Sequence, residues 1–231
     1  MFCLLSIFII FAGYKSYLFM EANLNVLLAD DHCIVKKGIE HFLKELFGNV
    51  TVTKSEFFDK ICAYLKEEVF DLIVIEVTIS DLKAIDMIAM IKKIQPNIKL
   101  LVFTDQDEDL FAIKYLKAGA DGFLRKISSE FELQRAFFSI IETGKFISEA
   151  ILQKIALIEA NVLKENPIEV LSPRELEIAR FLVSGNGNLE ISNQIGIKTS
   201  TVSTYKKRIL KKLGVKNSHA LTLLFGLYDQ N

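Results

Sequence analysis

Five short strand-like runs, each followed by a stretch of helical periodicity, constrain this chain more than any other feature. The runs are Val26–Ala29, Val50–Thr53, Leu72–Ile75, Leu100–Phe103 and Gly122–Leu124. After the first, Ile34, Val35, Ile39, Phe42, Leu43 and Leu46 recur at helical spacing and are expected on one inward side. Further helices are expected over 56–67, 84–94, 107–117 and 129–143, with Pro96, Gly119 and Gly144 as stops. Strands that alternate with helices pair in parallel, and a parallel sheet is covered by helices on both faces. The expected fold of residues 24–148 is therefore α/β, a five-stranded parallel, doubly wound sheet.

In an open parallel sheet, sites form at the C-terminal ends of the strands. Strand one runs into Asp30-Asp31, strand three into Glu76, strand four into Thr104, and strand five leads to Lys126. Three acids, a hydroxyl and an amine are thus expected on one rim, although they lie far apart in sequence. Paired carboxylates with a third nearby, here Asp30, Asp31 and Glu76, bind a hard cation such as Mg²⁺ through oxygen. A hydroxyl and an ammonium beside them suit an oxyanion such as a phosphoryl group. One polar residue at one strand end means little, because strand ends are solvated; five at corresponding ends form a pattern.

The remainder reads differently. Residues 148–166 have helical spacing, and 149–170 are expected to be a helical linker. No strand pattern follows. Ser172, Pro173 and Glu175 supply an N-cap, a proline at the first helical position and a capping-box acid. Short helices are expected over 173–184, 188–195, 199–213 and 217–227. Residues 171–231 hold nine Lys/Arg against four acids, a balance of +5, so the rest carries −6 of the net −1. Such asymmetry suggests two jobs, one of them on nucleic acid.

The basic character is concentrated in 198–216, which hold seven Lys/Arg and no acid. Val202, Ile209, Leu210 and Leu213 give that helix a core face. The preceding helix ends at Gly196, which sets helix–turn–helix spacing. The basic helix opens with Thr199, Ser200, Thr201, Ser203 and Thr204, short enough to reach base edges from a groove. The candidate DNA contacts are Lys198, Ser200, Thr201, Val202, Ser203, Tyr205, Lys206, Arg208 and Lys212. The last helix carries Ala220, Leu221, Leu223, Leu224 and Leu227, more apolar surface than so small a domain needs.

Cys3, Cys33 and Cys62 are few, odd in number and widely spaced, and the three histidines are scattered. No CxxC or Cys/His pairing is present, so neither a disulfide frame nor a zinc site is expected, and a reducing cytoplasm fits. The opening "MFCLLSIFIIFAGY" is apolar, but shorter than the ~20 residues of a spanning helix. It also lacks the basic start of a signal peptide. Met20 stands just ahead of the first strand, so residues 1–19, within an extension over 1–23, are expected to be dispensable. A membrane-tethered form is the alternative.

Two resemblances add to this reading. "VLLADDHCIVKKGI", "FDLIVIEV", "LLVFT" and "KAGADGFLRK" resemble the receiver domain of two-component response regulators, over about 24–147. The resemblance implies a flavodoxin-like fold. It also implies an acid pair (Asp30, Asp31) for Mg²⁺, a phosphoacceptor position at Glu76, a switch hydroxyl (Thr104), a switch aromatic (Phe123) and a lysine (Lys126). A sensor histidine kinase is the implied partner. The stretch "SPRELEIARFLVSGNGNLEISNQIGIKTSTVSTYKKRILKKLGV" resembles the LuxR-type helix–turn–helix of the NarL/FixJ class, with 199–213 as recognition helix and a second copy as partner.

Two features depart from the receiver pattern. The acceptor is Glu rather than Asp, and in the loop after it Ile79-Ser80 stand where Met-Pro is usual, with Ala84 in place of the glycine a few residues on. Glu is one methylene longer, about 1.5 Å of extra reach, and an in-line transfer site tolerates errors of about 1 Å poorly. The expected function is a DNA-binding response regulator, not an enzyme and with no small-molecule substrate. It would act on promoter DNA as a homodimer, with a receiver not phosphorylated in the ordinary way. The rivals are an orphan regulator controlled by ligand, partner or expression level, and a phosphatase of the haloacid-dehalogenase kind. The phosphatase needs an Asp nucleophile motif that "ADDH" does not supply, and it leaves the basic tail without a role.

Overall fold

The computed structural model describes residues 23–229; the expectations for residues 1–19 lie outside them. Among the described residues, no helix is long and apolar enough to cross a membrane. The chain forms two compact units, one of residues up to 108 with 114–148, the other of residues 109–113 with those from 149 onward.

In the first unit the strands are β1 (Leu24–Ala29), β2 (Val50–Ser55), β3 (Leu72–Ile75), β4 (Lys99–Thr104) and β5 (Gly122–Arg125). They form one sheet in the order β2-β1-β3-β4-β5, with every pair parallel. The helices between them are α1 (Cys33–Phe47), α2 (Phe58–Glu67), α3 (Ala84–Ile94) and α4 (Glu108–Ala118), and α5 (Glu130–Thr143) follows β5. β3 reads as a continuous apolar run because all four of its residues are buried, as a central strand with helices on both faces requires. Leu28, Val74 and Leu101 meet Leu43 of α1 and Phe137 of α5 in one apolar cluster.

One inward expectation fails. Ile34 is 74% exposed. It sits in the first turn of α1, beyond the end of β1, where there is no sheet for it to cover. The stripe that is buried runs Lys36, Ile39 and Leu43.

In the second unit, α6 spans Glu149–Glu159 and stops well short of residue 166. Asn161 turns left-handed (φ 58°), a conformation Asn tolerates better than most residues. The Val162 amide then donates to the Leu157 carbonyl at 2.9 Å, closing the helix end. A single 3₁₀ turn, Pro167–Val170, precedes α7 (Pro173–Val183), α8 (Asn188–Ile195), α9 (Thr199–Leu213) and α10 (Ser218–Tyr228). Ser172 and Glu175 form the expected capping box. Gly196 ends α8 left-handed, with φ 67°, and so lets the chain reverse into α9 without a Cβ clash. α9 packs on both α7 and α8, and α10 packs on α7. Ile178, Ile191, Val202, Ile209 and Leu221 are all fully buried. Leu224 and Leu227 of α10 are buried too, leaving Ala220 and Leu223 half-buried. The surplus apolar surface expected of that helix is correspondingly smaller.

Candidate functional sites: a carboxylate–lysine cluster and a basic helix

The strand order places β1 beside β3, with chain connections leaving in opposite directions, and the crevice at that point is where such sheets bind. Asp30 follows β1 and Glu76 follows β3. The Glu76 amide donates to the Ala29 carbonyl at 2.8 Å, which holds the two acids side by side. Thr104 closes β4 and pairs in register with Arg125, so Lys126 emerges next to it. Five sequence-distant groups thus reach one rim through strand pairing alone.

Their contacts are specific. The Thr104 hydroxyl donates to Glu76 Oε1 at 2.8 Å. The Thr78 amide donates to the same oxygen at 3.1 Å. Glu76 Oε2 faces Lys126 Nζ at 3.1 Å. Lys126 also meets Asp30 Oδ2 at 2.6 Å. Glu76, Asp30 and Thr104 are all buried. Burial alone would lower the Lys126 pKa, but the Asp30 and Glu76 carboxylates outweigh it and hold the ammonium above its ordinary value of 10.5. A raised folded-state pKa means that this interaction is fully present below 10.5 and fades only as pH rises beyond it. The Lys126 ammonium therefore keeps its charge at every physiological pH.

Phe123, three residues before Lys126 on β5, is buried and stacks on Tyr115 with ring centroids 6.2 Å apart. Two further residues at this rim escaped the sequence reading. Lys36 is buried and donates to the Asp30 carbonyl at 2.5 Å and to Glu56 at 2.9 Å, tying the ends of β1 and β2 together. The signal was a lysine on an apolar helical stripe. His32 donates its amide to Asp30 Oδ1 at 2.7 Å, and its ring lies 2.8 Å from Asp31.

The expectation of a cation held by Asp30, Asp31 and Glu76 meets a specific difficulty. Both oxygens of Glu76 are engaged, and Lys126 is shared between Glu76 and Asp30, offsetting one of their two charges. Among the described residues, the three donors that lie together are Asp30, Asp31 and His32, and Glu76 is not one of them. The three-acid set does not fit a divalent ion in this arrangement. The physical reason is that the longer Glu side chain reaches Thr104 and Lys126 and spends its oxygens there.

On α9 the structure sorts the candidate DNA contacts. Ser200, Thr201, Thr204, Lys207, Arg208 and Lys211 are exposed, as is Lys198 just before the helix. Val202 is fully buried, and its place is the core rather than a groove. Ser203 accepts a hydrogen bond from the Asn188 amide group at 2.9 Å, linking the two helices of the motif. Arg208 lies over the Tyr205 ring. Lys206 is half-buried. Lys207 and Lys211, two of the basic groups that the sequence leaves for solvent or phosphates, share a helical face with Ser200 and Thr204.

Lys212 has a different task. It reaches the buried Glu175 at 2.7 Å, and that bond, with the Ser172 amide, holds the Glu175 carboxyl below its ordinary value of 4.5. A depressed pKa contributes stability above 4.5, and this is lost as pH falls through the folded value. Lys212→Met is expected to destabilise the second unit by about 1–2 kcal/mol, since the acid is buried but the lysine partly exposed. Calorimetry near neutral pH should show this as a lower melting temperature that converges on wild type as the medium is acidified below pH 4.5. An unchanged melting temperature at neutral pH would remove the structural role.

Comparison with known proteins fits both halves. Residues 26–138 match the family model for the response regulator receiver domain, and residues 169–225 match that for bacterial regulatory proteins of the luxR family. Over 202 residues the chain is 28% identical to the response regulator UvrY of Escherichia coli K12, covering 87% of this chain and 93% of that protein. The response regulator GacA of Pseudomonas aeruginosa PAO1 is also 28% identical, with 87% and 94% covered. The solved complex of the response regulator RcsB with DNA superposes with a TM-score of 0.63 at 26% identity, covering 89% of this chain and 98% of that one. RcsB from Salmonella enterica serovar Typhimurium, bound to a promoter in the presence of a phosphomimetic, gives 0.64, also at 26% identity, with 88% and 98% covered.

Proposed function

Because this chain is a response regulator, a receiver domain followed by a luxR-type DNA-binding domain, we propose that it controls transcription from promoter DNA without ordinary phosphorylation, Glu76 acting as a built-in partner of its switch residues. One observation carries this reading: Thr104 and Lys126, which would meet an incoming phosphoryl group, are already bonded to Glu76. A carboxylate biases a two-state receiver only by its differential interaction with the two states. It carries at most one charge where a phosphoryl group carries about two and three oxygens. The bias is therefore incomplete, and the protein rests in a partly active state.

Receiver domains generally bind Mg²⁺ at the phosphorylation site. In this chain Glu76 spends both oxygens on Thr104, Thr78 and Lys126, so Mg²⁺ loses its third acid ligand and a histidine kinase has little to donate to. Asp30 and Asp31 keep a structural place at the rim, where they hold Lys126 and His32. DNA is bound as a homodimer; the solved structure of two RcsB dimers on two DNAs supports this by analogy. α9 is the recognition helix, and Lys198, Ser200, Thr201 and Arg208 are among its contacts.

The test is direct. Purified protein incubated with a small phosphodonor and Mg²⁺ should show no mass gain of one phosphoryl group, and its DNA affinity should be the same with donor, with Mg²⁺ or with neither. Stoichiometric phosphorylation followed by tighter DNA binding overturns the reading.

A further inference from the structure

The first turns of α9 carry five hydroxyl side chains, and the structure shows that they are not equivalent. Thr199 donates its hydroxyl to Ser192 at 3.3 Å. Ser203 is occupied by Asn188. Thr204 donates its hydroxyl back to the Ser200 carbonyl at 3.0 Å, one turn earlier. This last bond matters most. A threonine that bonds its i−4 carbonyl holds its oxygen against the helix, which turns its methyl group outward. Thr204 is exposed and lies on the helical face that also carries Ser200, Lys207 and Lys211. At the position where a recognition helix meets base edges, the chain therefore presents a fixed methyl group rather than a free hydroxyl.

The neighbours sharpen the point. Residues 199–205 contain no Arg, Lys, Asn or Gln. The bidentate pairings that select guanine or adenine in the major groove need those side chains. The base-reading turns thus offer single hydroxyls, at Ser200 and Thr201, and one oriented methyl. The base feature that a methyl group recognises is the C5-methyl of thymine, which lines the major groove.

Resting on the reading of α9 as the recognition helix, we propose that Thr204 is a specificity-determining residue that reads a thymine methyl in each half-site. The preferred half-site carries an A·T pair at that position, and the cations at Lys207, Arg208 and Lys211 supply affinity without choosing a base there.

The experiment uses the full chain. A preferred duplex is first selected from random DNA, which also tests DNA binding itself: absence of any salt-dependent enrichment would defeat the underlying reading and not this inference alone. Each thymine of the selected site is then replaced in turn by uracil, which removes only the C5-methyl. At one position per half-site, affinity is expected to fall about fourfold, the worth of burying one methyl group. Thr204→Ser, which keeps the hydroxyl and loses the methyl, should bind the thymine and uracil duplexes equally. Thr204→Val should restore the thymine preference, and melting temperatures of both variants should match wild type. The proposal is overturned if no uracil substitution weakens binding, or if Thr204→Ser retains the full thymine dependence.

Discussion

Exchange of Glu76 for alanine should lower promoter affinity about 5- to 150-fold in the absence of any phosphodonor, the range of an ordinary allosteric coupling of about 1–3 kcal/mol. The loss follows from the contacts. Glu76 is the acceptor for Thr104 at 2.8 Å and one of two partners of Lys126. Removing it frees the Thr104 hydroxyl and leaves Lys126 to Asp30 alone. The receiver should also lose about 1–3 kcal/mol of stability, because buried polar groups are left without partners. Glu76→Gln separates the two contributions. It keeps an oxygen for Thr104 and removes the charge facing Lys126, so an intermediate affinity is expected. Glu76→Asp withdraws the carboxylate by about 1.5 Å, and should both reduce resting affinity and permit uptake of phosphate from a small donor. Titration of DNA with each variant, with and without donor, reads all of these. Equal DNA affinity for wild type and Glu76→Ala would show that Glu76 has no hold on the output domain.

Wild-type binding to its selected duplex should weaken steeply with salt, with log K falling against log salt at a slope of roughly −4 to −5 per subunit. Five exposed cations support that figure: Lys198, Lys207, Arg208, Lys211 and Lys216. Among the described residues, none of the five forms an ion pair within the chain, whereas Lys212 is engaged by Glu175. The double variant Lys207→Ala/Lys211→Ala should reduce the slope to about −3 and weaken binding to all sequences alike, since phosphate contacts carry no base information. Lys212→Met should leave the slope nearly unchanged. Fluorescence titrations at four or five salt concentrations measure this. A slope near zero, or one that Lys212 controls and Lys207 does not, would contradict the assignment of the DNA-facing side.

The periodicity of apolar residues was enough to place all five strands and the alternating helices, because a parallel sheet covered on both faces demands buried runs whatever the details. It was also enough to bring Asp30, Asp31, Glu76, Thr104 and Lys126 to one rim, since strand ends in such a sheet share an edge. The capping box at Ser172 and the turn at Gly196 were equally legible, as both are local bonds between near neighbours. What the sequence could not decide was how charges divide among partners. Glu76 looked like a third metal ligand, yet tertiary packing gives both its oxygens to Thr104, Thr78 and Lys126. Lys212 looked like a phosphate contact, yet a buried carboxylate 37 positions away claims it. Lys36 drew no expectation from the sequence and is a buried tie between strand ends. Ile34 looked like core and is exposed, because its turn of helix extends past the sheet. In each case residue type and spacing set the inventory of groups, while the pairing depended on distances of a few ångströms between elements remote in sequence, and only the folded chain sets those.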